Sequence, residues 1–194
     1  MAKNISFTEN NRPLVSIMLV VGLTMIALFA GRWIKDNLEN QTSQFERGGI
    51  QAEIARGWGV QNGIDGESML FSTSDPFDLT HRFMVTTFPA AENHLLTDTV
   101  VNRNLDRGLV LQNYQVIEQT GVMIGSFEGF RVKYVYVDTP KISQVPVVVM
   151  GVDYYIPNGE RVVVVSMEDQ SSRFDEVYPD FIQFLNSLVI SRGG

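Results

Sequence analysis

The chain has 194 residues with no cysteine, and its 22 acidic residues against 15 basic ones leave a net charge of −7. Disulfides, thiolate chemistry and cysteine-bound zinc are excluded, and an acidic surface without a basic stripe repels phosphate backbones, so no nucleic acid is expected as a partner. Lys3 and Arg12 against Glu9 leave +1 on the first 31 residues, so the remainder carries −8. At roughly 160 residues that remainder suffices for one domain with a real core.

A tail over 1–13 precedes the uncharged run Leu14 to Gly31, which Ile34 extends. At ~1.5 Å per residue its roughly 18 positions span about 27 Å, close to the ~30 Å of a bilayer's hydrocarbon, so 14–34 is predicted to be a transmembrane helix. No clean small-x-small pair closes the run, which favours a retained anchor over a cleaved signal. The short basic start places the amino terminus inside and the large domain outside, although the basic residues on the two sides nearly balance. Residues 35–49 read as a juxtamembrane helical stalk ending at Gly48-Gly49, with a flexible linker as the other reading. Trp33, Ile34, Leu38 and Phe45 fall near one helical face of this region. Such a narrow stripe is poorly stable alone, so these residues are the expected partner contacts.

From Ile50 the pattern turns to short alternating strands. Glu67 to Ser72, His81 to Phe88 and Tyr114 to Glu118 are predicted strands, and Glu92 to Arg107 is a predicted helix that Gly108 terminates. Phe130 to Asp138 places Phe130, Val132, Tyr134 and Tyr136 on one face of a half-buried strand. A hairpin follows, with Val147 to Ile156, the turn Pro157-Asn158-Gly159-Glu160, and Arg161 to Met167; Asn-Gly is expected to supply the positive φ. The run Val162 to Val165 is apolar on both sides, which predicts a central strand covered on both faces, and Asp169 beyond it is expected to be exposed. Phe174, Val177, Tyr178, Phe181, Ile182, Leu185, Leu188 and Val189 recur at helical spacing behind a possible capping box of Ser172 and Asp175. Pro179 leaves two readings: a regular helix starting there, or a longer helix interrupted by it. The predicted fold class is α+β, a single transmembrane helix followed by an α/β/α sandwich over 50–194 with a central antiparallel sheet of five or six strands.

Several segments resemble the PsbP superfamily of extrinsic photosystem and DcrB-like envelope proteins. They are Gly57-Trp58, Gly129-Phe130-Arg131-Val132-Lys133-Tyr134-Val135-Tyr136, Tyr154-Tyr155-Ile156-Pro157-Asn158-Gly159-Glu160-Arg161-Val162, and Phe181-x-x-Phe184-Leu185-x-Ser187-Leu188. The match spans Ile50 to Ile190 and departs from the pattern where no Tyr-Pro precedes Gly-Trp, where Leu188 follows Ser187, and where the lipid-bearing cysteine is missing. The resemblance implies a non-catalytic accessory or assembly subunit of a larger membrane complex, photosynthetic or respiratory in kind, on the lumenal or periplasmic side. The sequence-level alternative is a freestanding envelope binding protein for a small ligand or protein.

Motifs for chemistry are sparse. His81 and His94 are the only histidines, too few for a zinc site. Gly57-Trp58-Gly59-Val60-Gln61-Asn62-Gly63 departs from a dinucleotide loop by one residue, and Trp58 reads as a core or rim aromatic. Gly125-Ser126-Phe127-Glu128-Gly129 misplaces the serine of a nucleophile elbow. Asp65, Glu67, Asp75 and Asp78 read as turn carboxylates rather than a calcium loop. No catalytic residue, cofactor or metal is therefore expected, and the expected partners are the membrane and an integral membrane protein complex.

Overall fold

The computed structural model describes residues 12–39, 42–64, 68–75, 78–90, 96–139 and 145–191, with the side chains of 12–16, 34–39 and 78–80 outside the description. The chain divides into two compact units, Met1–Thr42 and Ser43–Gly194. The first carries helix α1, Arg12–Glu39. Its described side chains, Ile17 to Trp33, are all exposed. Among the described residues, no helix is long and apolar enough to cross a membrane, so the transmembrane helix expected over 14–34 is not shown by the structure.

The expected helical stalk does not continue to Gly49. Thr42–Arg47 is strand β1, and Gly48-Gly49 turns the chain into β2, Ile50–Ala55. Both glycines have positive φ, 60° and 77°, as a tight two-residue hairpin demands. The same dipeptide that stops a helix also builds this turn, and β2 then supplies Ile50, Ala52 and Ile54 to the core. The folded unit accordingly begins at Ser43, ahead of the expected Ile50.

A larger antiparallel sheet follows. Its strands are β3 (Gly59–Asn62), β4 (Met69–Asp75), β5 (Asp78–Pro89), β6 (Gln112–Ile124), β7 (Phe127–Asp138), β8 (Val147–Asn158) and β9 (Arg161–Gln170). The order is β3-β4-β5-β9-β8-β7-β6, seven strands among the described residues where five or six were expected. Helix α2, Leu96–Val110, connects β5 to the far edge strand β6 and covers one face. It runs through Gly108 instead of ending before it, since an interior glycine costs only about 1 kcal/mol and the next turn closes with Leu111 N–H on the Arg107 carbonyl at 2.7 Å.

Strand β9 occupies the centre of the order, as its valines required. Val163 and Val165 face one core with helix α3, Phe174–Ser187, while Val162 and Val164 face the other with Val100 of α2. The α3 core also receives β2, which pairs antiparallel with the short β10, Val189–Ile190. Between β8 and β9 the loop is Gly159-Glu160, because Asn158 still pairs with Arg161. Gly159 at φ 61° carries the positive angle as the first loop residue, while the Asn158 amide donates to the Ser191 carbonyl at 3.1 Å.

Pro179 lies inside α3, whose N-cap Arg173 makes no side-chain cap bond, so the Ser172–Asp175 capping box does not form. Burial decides this. Phe174 and Val177, both buried ahead of the proline, are worth about 1.5–3 kcal/mol each against the ~3 kcal/mol an interior proline costs. Asp169, expected exposed, is 2% exposed and accepts the Gln170 N–H at 2.6 Å.

Candidate functional site

The α2-facing side of the sheet carries a buried ionic network. Alternation along β8 sends Val152, Tyr154 and Ile156 into the α3 core and leaves Asp153 and Tyr155 facing α2. Asp153 has no exposed surface. A carboxylate there persists only if paired, because moving an isolated charge out of water costs far more than a domain's stability margin.

Helix α2 supplies the pairing through Arg103 and Arg107, one turn apart on the flank that also carries Val100. Arg107 donates from Nη1 to Asp153 Oδ2 at 2.5 Å and from Nη2 to Oδ1 at 3.2 Å, and Arg103 donates from Nε to Oδ2 at 3.1 Å. The Tyr155 hydroxyl adds a bond to Oδ2 at 3.1 Å. Beside this group, Glu168 of β9 accepts from the hydroxyls of Tyr134 at 2.7 Å and Tyr136 at 3.2 Å and lies 3.6 Å from Arg107 Nη2. Arg107 also stacks over the Tyr134 ring at 4.0 Å. That ring occupies the space over Gly151, where any Cβ would collide with it.

Protonation follows from these contacts. Burial pushes the Asp153 carboxyl upward, but Arg107 and then Arg103 outweigh it and hold the group below its ordinary 3.8. Burial works to lower Arg107, and Asp153 overcomes it, so the guanidinium stays charged. Burial, reinforced by Asp153 and Glu168, raises the Tyr134 phenol, and burial with Glu168 raises that of Tyr136; both act as neutral donors.

The network opens into a cleft of about 530 Å³ between α2 and the sheet, lined among others by Met84, Phe88, Thr99, Asn102, Val110 and Leu111. Arg103 lies in its wall with its guanidinium 5.2 Å from the Phe88 ring centroid. The cleft has the size and mixed lining of small-molecule sites.

Of the expected contact residues, Trp33 and Phe45 have described side chains. Trp33 is 68% exposed on α1, and the side chains of Ile34 and Leu38 lie outside the described residues. Phe45 instead sits in β1 with its ring 4.9 Å from Phe71, at the edge of the α3 core. His81 is buried against the edges of Trp58 and Phe83 at 4.9 and 5.4 Å, and burial lowers its pKa from 6.5. Trp58 packs on the core as expected. His94, Asp65, Glu67, Pro76 and Phe77 lie outside the described residues. Gly125-Ser126 is the β6–β7 hairpin turn. Among the described residues no group of three or more His, Asp or Glu side chains is arranged to hold a metal ion.

None of Asp153, Arg103, Arg107 and Glu168 was singled out from sequence. One signal existed: Asp153 is the lone charge within Val147 to Ile156, and a charge in so apolar a strand demands a partner.

No family model matches the chain, and no curated protein does. Solved structures do. Cyanobacterial PsbP (CyanoP) from Synechocystis sp. PCC 6803 superposes with a TM-score of 0.58 at 12% identity, over 77% of this chain and 92% of that one. The Ran-binding protein Mog1p of Saccharomyces cerevisiae gives 0.54 at 11% identity, over 77% and 95%. PA94 from Pseudomonas aeruginosa, a protein of unknown function described as a putative regulator, gives 0.50 at 9%, over 80% and 100%. The fold is therefore PsbP-like, a mixed α+β architecture on a large antiparallel sheet.

Proposed function

We propose that this chain is a single-pass membrane-anchored, non-catalytic accessory protein that works by contact with an integral membrane complex, its folded unit on the periplasmic, lumenal or extracellular side. The observation that carries this reading is α1: from Ile17 to Phe29 its large apolar side chains are exposed around the whole circumference, with no charged residue among them. A helix apolar on all sides requires either a protein interior or lipid around it. The likeness to CyanoP and to a Ran-binding protein supports a role in binding other proteins for this fold.

Gentle detergent extraction followed by native mass spectrometry tests the reading. The expected species is the full chain in stoichiometric complex with an integral membrane protein, retained in the pellet after alkaline carbonate washing. Placing charges at Trp33 and Leu38 (Trp33→Glu with Leu38→Glu) releases it from that complex without changing the melting of the folded unit. Recovery of the parent chain in the carbonate supernatant overturns the anchor, and purification of the parent alone from detergent overturns the contact role. The second reading, a freestanding binding protein, draws on the cleft beneath α2.

A further inference from the structure

We propose that two copies of this chain associate through the free edge of β6, each continuing the other's sheet, with their α2 helices closing over one face of the joint. The first observation is the edge itself. In the large sheet the outer strands are β3, of four residues, and β6, of 13. Among the described residues no strand pairs with the outer side of β6. Proteins blunt a long edge with lysine or proline, and Gln112 to Ile124 contains neither; its one charge, Glu118, is already engaged by Arg131 of β7. Its irregularities fall between Gln112 and Glu118, so Glu118 to Ile124 keeps a continuous register with β7.

Apolar surface flanks this edge. The Tyr114 hydroxyl donates to Asn104 at 2.7 Å, and a Cβ on Gly108 would stand 4.0 Å from the Tyr114 ring, so this flank of α2 leans over β6. Val101 and Leu105 project from the same flank at 50% and 62% exposure. Val116, in register with Tyr134, opens on the α2 side of the sheet, and Ile117 and Met123 are exposed along the strand. Symmetry then selects the occupant. Identical edge strands extend one sheet antiparallel only about a twofold axis perpendicular to it, and that axis returns the second α2 to the same face. One operation therefore covers the strand edge and both Val101–Leu105 flanks, whereas an unrelated extended segment covers the edge and leaves the flank open. Around such an axis like side chains meet, so a surface that pairs with itself must be nearly uncharged, as this one is in a chain of net charge −7. At ~3.4 Å per residue the edge is about 44 Å long; with the helix flank it offers on the order of 600 Å² per copy, so two copies reach the ~1,200 Å² at which specific interfaces begin.

The chain has no cysteine, so a single introduced thiol reports on the joint without background. The test uses the full chain in a mild non-ionic detergent, with micelles in excess over chains, treated with a short bis-maleimide. One cysteine is placed in turn at Gln115, Ile117, Gln119, Gly121 or Met123 on β6, or at Val60 on β3 as the control; a Cβ at Gly121 meets nothing within 4 Å. A covalent dimer is expected from at least one β6 position and none from Val60, and native mass spectrometry of the parent is expected to show twice the chain mass. Leu105→Glu with Ile117→Glu, both at exposed positions, is expected to weaken self-association about tenfold or more while the circular dichroism of the fold stays unchanged. A monomeric parent, no linking from any β6 position, linking from Val60 as readily as from β6, or a dimer undiminished in the glutamate variant overturns the proposal. A dimer purified without any other protein overturns the contact role proposed above and leaves this one standing, and a single copy bound to an integral membrane protein does the reverse, so the two fail separately.

Discussion

At Asp153 a carboxylate without exposed surface is surrounded by two arginines and a tyrosine hydroxyl, and it remains ionised because their attraction exceeds the burial penalty. Its folded pKa lies below 3.8, so folding releases a proton in the interval between the two values. The stabilisation is fully present above 3.8 and is lost as pH falls through that interval towards the folded value. Asp153→Asn should therefore flatten the acid limb of stability against pH below 3.8 and, by leaving Arg103 and Arg107 without their counter-charge, should cost about 3 kcal/mol at neutral pH. Urea unfolding between pH 2 and pH 7 checks both parts, and an acid limb as steep in the variant as in the parent refutes them. Glu118→Gln, which removes the exposed partner of Arg131, is the matched control and should change little, because solvent screens that pair.

Among the elements, β9 shows most directly how local pattern becomes architecture. Four consecutive valines alternate between two cores, Val162 and Val164 with α2 and Val163 and Val165 with α3, so each face of the central strand is sealed. Val163→Asp and Val164→Asp should each cost about 3 kcal/mol or more by burying an unpaired carboxylate. Leu109→Ser on α2 should be nearly silent, since Leu109 is 87% exposed. Thermal melts of the three variants decide this, and equal melting of parent and aspartate variants removes the buried-strand assignment. The β8–β9 hairpin was legible because a tight turn between two β-branched runs is a local signal, though pairing of Asn158 with Arg161 moved the loop to Gly159-Glu160. The β1–β2 hairpin was not legible, because Gly48-Gly49 terminates a helix as well as it turns a hairpin. Its choice depends on distant residues: Phe45 on Phe71, and Ile190 paired with Ile50.

For the whole molecule, the boundary at Ser43 makes β1 part of the folded unit. A chain beginning at Ser43 keeps the Phe45–Phe71 contact and the 2.7 Å bond from Arg47 Nη2 to the Gly63 carbonyl; one beginning at Ile50 loses both and leaves β2 as an edge. Losing the partly buried Phe45 should cost about 2 kcal/mol. At this domain size the shorter chain should then melt roughly 4–8 °C lower. Calorimetry on the two fragments checks it, and coincident melts place the boundary back at Ile50. By itself the sequence determined what depends on neighbours along the chain: the apolar run in α1, the alternating strands, the twice-buried valines of β9 and the amphipathic α3. Tertiary structure alone decided the seven-strand order, the passage of α3 through Pro179, and the meeting of Asp153 with Arg103 and Arg107. The physical reason is range. Backbone sterics and hydrophobic periodicity act over a few residues and are written locally, whereas the pairing of a buried charge joins positions 46 and 50 residues apart and exists only once α2 is laid across the sheet.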